Sequence, residues 1–135
     1  MDQFSTTLIY VIDDDREDFE LLNQVIVDRW PSMHFKYFED PHTFVNDLGI
    51  LEHPCFIVLD INMPKINGFE VLTSLKENVS WKKIPVVFLS TSNNLSQKEK
   101  ALELGAASYL TKPSTADQWE EVVKEIHLMK IKQNC

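Results

Sequence analysis

The chain has 135 residues, of which 44% are hydrophobic and 25% charged, a length and composition that fit one globular domain with its own core. The net charge of -8 argues against binding nucleic acid non-specifically or an anionic membrane surface, since both depend on basic residues. No apolar stretch reaches membrane-spanning length and the N-terminus lacks a basic signal-peptide start, so we expect a cytoplasmic protein without nucleic acid or membrane partners.

Short apolar runs alternate with amphipathic segments along the chain. The runs predict strands over residues 8–12, 34–38, 55–59, 85–89 and 108–110. Three of them are nearly continuous Val, Ile, Leu and Phe, as in strands buried on both faces, whereas residues 34–38 alternate and suit a sheet edge. The segments between them have apolar residues at helical spacing, such as Phe69, Leu72 and Leu75. Five successive strand–helix units predict an α/β fold, a doubly wound parallel sheet with helices on both faces.

Residues with capping chemistry mark the expected helix ends. The expected N-caps are Asp15, Asp40 before Pro41, Ser96 with Glu99, and Thr115 with Gln118, and the expected C-terminal glycines are Gly49 and Gly105. The last helix is expected to end near Lys130. We therefore predict a single domain over residues 1–135, with a core at about residues 7–130 and no output domain. Cys55 and Cys135 form no metal-ligand pattern and are expected to be reduced thiols.

Polar side chains follow four of the five predicted strands, at the edge where an open α/β sheet binds its ligands. They are Asp13, Asp14 and Asp15 after the first strand, Asp60 and Asn62 after the third, Ser90 after the fourth and Lys112 after the fifth. Two carboxylates about 4 Å apart repel by roughly 4 kcal/mol at an effective dielectric near 20. A proton or a cation must therefore lie between them.

The ligand types favour Mg²⁺, because all of them are oxygens and the four histidines are scattered along the chain. Beside such an ion, a carboxylate can attack phosphorus and form an aspartyl phosphate. The Lys112 ammonium and the Ser90 hydroxyl could stabilise the transferred oxygens. Phosphoryl transfer is therefore the chemistry that these strand ends indicate.

The order of these motifs resembles the receiver domain of two-component response regulators, in its single-domain, chemotaxis-regulator-like form. The matching segments are residues 12–14 (IDD), 59–64 (LDINMP) with Gly68, 85–90 (PVVFLS), and 105–113 (GAASYLTKP), which contains Tyr109 and Lys112. The resemblance covers about residues 7–130 and implies a flavodoxin-like strand order of 2-1-3-4-5.

The resemblance implies which residues hold the metal. Asp60 would be both the phosphoacceptor and a direct ligand, and Asp14 the second direct carboxylate. Asp13 would act through water, and Asn62 through its backbone carbonyl. Asp15 has no such counterpart, and we interpret it as the N-cap of the first helix.

The resemblance also implies a switch. Lys112, followed by a cis bond to Pro113, would pair with Asp60 and then with the phosphoryl group. The Ser90 hydroxyl would move to the phosphoryl group and the Tyr109 ring would turn inward. Together they would remodel the face of helix 4, strand 5 and helix 5 to which a downstream protein binds. Thr91 replaces the usual small alanine and could narrow access to the phosphate.

Its upstream partner would be a sensor histidine kinase or a phosphotransfer protein, and the domain would not be an enzyme. The long connection over residues 78–84 resembles receivers that partner phytochrome-like or hybrid kinases; alternatively, Trp81 there is a lid on the core.

Two other functions remain as alternatives. An aspartyl-phosphate phosphohydrolase of the haloacid-dehalogenase type has a second aspartate two residues after the nucleophile, where this chain has Asn62. Steady turnover of a phosphate ester would favour it. A phosphorylation-independent interaction module would usually have lost the acceptor, the acidic pair or the lysine, all of which are present here. Unchanged partner binding by Asp60→Asn would favour that module.

Overall fold

The computed structural model describes residues 7–132, except for the side chains of Ala116 and of residues 130–132. Strands and helices alternate throughout. They are β1 (Thr7–Ile12), α1 (Arg16–Arg29), β2 (Met33–Phe38), α2 (Pro41–Asn46), β3 (Phe56–Asp60), α3 (Gly68–Glu77), β4 (Val86–Ser90), α4 (Leu95–Glu103), β5 (Ser108–Thr111) and α5 (Ala116–Lys132). All strand pairs are parallel, in the order β2-β1-β3-β4-β5. The predicted fold and strand order are therefore confirmed, and the alternating strand is at an edge.

The core consists of two apolar clusters, one on each face of the sheet. Alternate residues of β1 belong to different clusters, because successive side chains of a strand point to opposite faces. Ile9 and Val11 pack with apolar residues of α1 and α5, whereas Tyr10 and Ile12 pack with those of α2, α3 and α4. Strands β3 and β4 are buried along their whole length, and their carboxyl ends are held in a fixed position.

Trp81 is part of the core, which agrees with the prediction of a lid. Its side chain is buried, and the indole nitrogen donates a hydrogen bond to the Leu48 carbonyl at 2.9 Å. Cys55, just before β3, is disulfide-bonded in the structure, which corrects the reduced thiol that the sequence predicted. Cys135 lies outside the described residues.

Most of the predicted caps are confirmed. The Asp15 carboxylate accepts hydrogen bonds from the backbone nitrogens of Glu17 and Asp18, Asp40 caps α2, and Thr115 accepts from the Gln118 nitrogen at 3.4 Å. Gly105 follows α4 with a φ of +103°, a left-handed conformation that favours glycine. None of the helices described between residues 7 and 132 is long and apolar enough to cross a bilayer.

Two predicted helix ends are wrong. Helix α4 begins at Leu95 with Asn94 as its N-cap, and the Asn94 side chain accepts from the Gln97 nitrogen at 3.2 Å. Ser96 thus lies inside the first turn, because asparagine caps as well as serine and comes first in the chain. Helix α2 ends at Asn46 with Asp47 as its C-cap, so Gly49 lies beyond the helix in the loop that follows.

Candidate functional site

The carboxyl ends of β1 and β3 bring three acidic side chains together. Ile12 pairs with Leu59 in the sheet, so that Asp13 and Asp60 follow side by side. Both are buried, whereas Asp14 is exposed. One carboxylate oxygen from each residue lies within 4.8 Å of the other two. The predicted cluster is therefore present, and its oxygens suit a hard divalent cation.

Lys112 lies against this cluster from the end of β5. Its Nζ atom is 2.9 Å from Asp13 Oδ2 and 3.5 Å from Asp60 Oδ1, and the side chain is only 6% exposed. Burial alone would lower the pKa of the ammonium, but the nearby charges of Asp13 and Asp60 and the hydrogen bond from Lys112 to Asp18 raise that pKa above the ordinary lysine value. Lys112 is therefore held in its charged form. No peptide bond within residues 7–132 is cis, so the cis bond expected before Pro113 is not found.

A fourth carboxylate, from Asp18, also contacts Lys112. Its Oδ2 atom is 2.8 Å from Lys112 Nζ. Asp18 was not among the predicted site residues. The available signal was its position in the first turn of a helix that begins at the sheet edge, where an acidic side chain is also favoured by the helix dipole.

The cluster holds more negative charge than Lys112 can neutralise. Burial raises the pKa of Asp60 to about 7, with the neighbouring Asp13 charge adding to the effect and Lys112 only partly opposing it. Burial likewise raises the pKa of Asp13, against the opposing effect of Lys112. A divalent cation among these oxygens would relieve the repulsion.

The cluster opens onto a cavity of about 450 Å³. Its lining includes Asp14, Asp60, Asn62, Thr91 and Lys112. Thr91 is exposed at this opening, and its effect on access to the phosphate stays a prediction. Asp15 also borders the cavity, but its carboxylate serves as the α1 cap and lies outside the three-residue cluster.

The loop after β3 is fixed by a close approach of helix α3. A Cβ atom on Gly68 would lie 2.5 Å from the Asp60 carbonyl oxygen and 2.8 Å from Ile61 Cα, so only glycine fits there. The Asn62 backbone nitrogen donates to Asp60 Oδ1 at 3.4 Å. The loop that follows the acceptor is thus held directly against its carboxylate.

The predicted switch residues, Ser90 and Tyr109, lie beside the cluster. The side chain of Gln97, from α4, contacts both of them. The Gln97 Oε1 atom accepts from Tyr109 OH at 2.8 Å and from Ser90 Oγ at 3.4 Å. Ser90 is fully buried. The Tyr109 ring, which was expected to turn inward on phosphorylation, already lies inward here, and its hydroxyl donates to the Ser92 carbonyl at 2.7 Å. Gln97 was not among the predicted site residues, because nothing in the sequence distinguishes it from the exposed polar residues around it.

Residues 9–124 match the response regulator receiver domain. The chain belongs to this family. The receiver domain thus functions in two-component signalling, in which such domains interact with histidine kinases or phosphotransfer proteins and with downstream targets. Members of the family are in general signalling modules and bind a divalent metal at their acidic pocket.

Two curated relatives differ in how much of their length the receiver domain matches. It is 33% identical to the response regulator protein TmoT of Ectopseudomonas mendocina over 107 residues, or 79% of this chain and 46% of TmoT. It is also 33% identical to the response regulator Rcp1 of Synechocystis over 111 residues, or 78% of this chain and 76% of Rcp1. The chain therefore spans about half the length of the first of these relatives.

The solved structures agree with the fold. The phosphorylated cyanobacterial phytochrome response regulator RcpA superimposes with a TM-score of 0.82 at 27% identity, covering 91% of this chain and 92% of RcpA. The Mn²⁺-bound form of Rcp1 gives a TM-score of 0.79 at 29% identity, covering 90% of this chain and 91% of Rcp1.

Proposed function

We propose that this receiver domain accepts a phosphoryl group on Asp60 in a Mg²⁺-dependent reaction, from a sensor histidine kinase or a phosphotransfer protein. The observation that supports this most directly is the position of the Asp60 carboxylate. It lies within 4.8 Å of carboxylate oxygens of Asp13 and Asp14 and 3.5 Å from Lys112 Nζ. A nucleophile, a metal site and a fixed cation are thus adjacent at one opening to solvent.

The residues that would hold Mg²⁺ are Asp14, Asp60 and the backbone carbonyl of Asn62, with Asp13 in support through water. Their donor atoms are all oxygens, and the excess negative charge around Lys112 favours a small divalent ion. When bound, Mg²⁺ supplies positive charge that offsets the carboxylates and the oxygens of the transferred group.

In the proposed reaction, an Asp60 carboxylate oxygen attacks the phosphorus of the donor. The new P–O bond forms as the bond from phosphorus to the leaving group breaks, and the leaving group departs with the electron pair. The Lys112 ammonium and the Ser90 hydroxyl stabilise the phosphoryl oxygens. Asn62, two residues after Asp60, provides no carboxylic acid for rapid turnover, so the product persists as a signal and the domain does not act as an enzyme.

Phosphorylation would change the face formed by α4, β5 and α5, next to Ser90 and Tyr109, and a downstream protein would bind to that face. For the input, the likeness to RcpA, a phytochrome response regulator solved in a phosphorylated form, supports testing a phytochrome-type sensor kinase first. We therefore propose such a kinase as the phosphoryl donor for Asp60.

Intact-mass measurement after incubation with acetyl phosphate and MgCl₂ tests the core of the proposal. The wild-type mass should increase by one phosphoryl group, and Asp60→Asn or EDTA should abolish the increase, because the nucleophile or the metal is lost. Asp15→Asn is the matched control: it removes a neighbouring acid, yet asparagine remains a good N-cap, so labelling should persist.

An unmodified wild-type mass, under conditions that label an established receiver, would overturn the proposal. Continued labelling of Asp60→Asn would show that the phosphoryl group is on another residue and would overturn the assignment of Asp60.

A further inference from the structure

We infer that Gln97 is a positioning residue that couples the phosphorylation site to Tyr109 and to helix α4. The inference rests on the proposed function, because it concerns how a phosphoryl group on Asp60 is detected elsewhere in the domain. No predicted motif includes Gln97, and its role follows from the contacts that its side chain makes in the folded structure.

A chain of polar contacts runs from Asp60 to Tyr109 through Gln97. The Asn62 backbone nitrogen donates to Asp60 Oδ1 at 3.4 Å, and the Asn62 side-chain nitrogen is 3.5 Å from Ser90 Oγ. Ser90 Oγ then donates to Gln97 Oε1 at 3.4 Å, and Tyr109 OH donates to the same oxygen at 2.8 Å. Two residues contact both hydroxyls. Ser92 does so through its backbone, whose nitrogen donates to Ser90 Oγ at 3.1 Å and whose carbonyl accepts from Tyr109 OH at 2.7 Å. Among the described residues, Gln97 is the one that does so through its side chain, and it belongs to α4.

The contacts differ in strength along the chain. The three contacts nearest Asp60 are longer than usual hydrogen bonds and therefore weak, whereas the contact between Tyr109 and Gln97 has the ordinary length of an O–H···O bond. A charge-assisted bond to a phosphoryl oxygen is roughly twice as strong as a neutral one. When Asp60 carries a phosphoryl group, the Ser90 hydroxyl therefore leaves Gln97 for that group.

The departure of the Ser90 hydroxyl changes the hydrogen bonds that hold the Gln97 side chain and Tyr109. The Tyr109 hydroxyl has a single hydrogen, and two acceptors, Gln97 Oε1 and the Ser92 carbonyl, lie within 2.8 Å of it. While Ser90 holds Gln97 in place, both acceptors remain beside the hydroxyl. Once Ser90 is withdrawn, the Gln97 side chain is anchored only through Tyr109, and the first turns of α4 can move with it.

The position of Gln97 makes α4 the element that responds. Its backbone nitrogen donates a hydrogen bond to the side-chain oxygen of the N-cap residue Asn94 at 3.2 Å, so movement of the Gln97 side chain acts on the first turn of the helix. Of the nine residues of α4, all described, Ala101 is the buried one. A helix with so little apolar burial shifts at low cost in free energy.

Two-dimensional NMR with beryllofluoride and MgCl₂, a mimic of the phosphoryl group, tests this coupling in the full chain. In the wild type, saturating beryllofluoride should shift the amide signals of Asn62 and Thr91 near Asp60, and also those of Tyr109 and of α4. In Gln97→Leu, which keeps the side-chain size without polar atoms, the signals near Asp60 should shift as before. The shifts of Tyr109 and α4 should fall by about twofold or more.

Two further variants separate coupling from a structural effect. Gln97→Glu keeps an oxygen that accepts from both hydroxyls and should retain the long-range shifts. Lys98→Ala changes the adjacent exposed residue of α4 and should leave all shifts at their wild-type size. If Gln97 only filled space, leucine and glutamate would have similar effects on the long-range shifts. Retention of these shifts by glutamate but not by leucine would therefore indicate that the accepting oxygen is needed.

The outcomes distinguish the two proposals. If beryllofluoride shifts no wild-type signal near Asp60, the proposed function fails. If the wild type responds but Gln97→Leu transmits the same shifts to Tyr109 and α4, the coupling role of Gln97 is overturned alone. If Gln97→Leu does not fold, Gln97→Glu decides: wild-type shifts support the role, and loss of the long-range shifts contradicts it.

Discussion

The binding edge of the sheet has two halves built from different interactions. The charged half consists of Asp13, Asp14, Asp18, Asp60 and Lys112. The neutral half consists of Ser90, Gln97 and Tyr109. Breaking a buried ion pair by removing one partner costs roughly 3–5 kcal/mol, whereas a neutral hydrogen bond contributes about 1 kcal/mol. The charged half can therefore hold a metal and a phosphoryl group firmly, while the neutral half can rearrange at small cost.

The largest expected effect comes from removing the cation of the charged half. Lys112→Met in EDTA should lower the free energy of unfolding by about 3 kcal/mol, because buried carboxylates lose their partner. MgCl₂ should recover part of this loss, since the metal compensates the same charges. Urea denaturation followed by circular dichroism measures both values.

Lys124→Met is the control for this comparison. Lys124 is half-exposed on α5 and pairs with Glu121 at 3.3 Å, so its loss should cost less than about 0.5 kcal/mol. Equal losses for Lys112→Met with and without MgCl₂ would contradict the view that lysine and metal share one charge cluster.

An intermediate effect is expected from Asp60→Asn without metal. The folded-state pKa of Asp60 is raised to about 7 from 3.8, so the folded protein holds this proton more tightly than the unfolded chain. The resulting stability is fully present below about pH 4 and is lost as the pH rises towards 7. Asp60→Asn has no such proton to lose. Its free energy of unfolding at pH 8 should therefore be higher than that of the wild type by on the order of 2 kcal/mol.

The difference should shrink towards pH 4, which denaturation in EDTA at several pH values would reveal. A constant difference across this range would mean that the Asp60 proton is not the cause. Asp15→Asn again serves as the control, since Asp15 is exposed and lies outside the three-carboxylate cluster.

The smallest effect is expected in the neutral half. Tyr109→Phe removes one hydroxyl and should cost about 1 kcal/mol of stability, equally with and without MgCl₂. Labelling of Asp60 by acetyl phosphate should remain at the wild-type level, because Tyr109 does not reach the carboxylates. Loss of labelling would show that the phosphorylation reaction itself, and not only the response to it, depends on the neutral half.

The elements and the carboxylate cluster could be predicted because they depend on local patterns. Continuous apolar runs specify buried parallel strands, whose carboxyl ends meet at one edge. The site residues Asp13, Asp60 and Lys112 lie at or just beyond the carboxyl ends of β1, β3 and β5, and their meeting requires no knowledge of helix packing.

Asp18 and Gln97 could not be predicted in the same way. Both lie on helices, and the direction of their side chains depends on how each helix docks against the sheet, which the sequence pattern alone does not determine. The error at Ser96 has a local cause: Asn94 and Ser96 are both good caps within one polar stretch, and only the backbone conformation decides between them.

Gly68 determines the direction in which the domain can respond. Helix α3 touches the Asp60 backbone where no side chain fits, and four of its residues, Gly68, Val71, Leu72 and Leu75, are buried. This side of the site behaves as a rigid wall, so displacement caused by a new group on Asp60 cannot be absorbed there. In the proposed mechanism it passes instead through Ser90 and Gln97 to α4, and the absence of a side chain at Gly68 thereby sets the direction of the response.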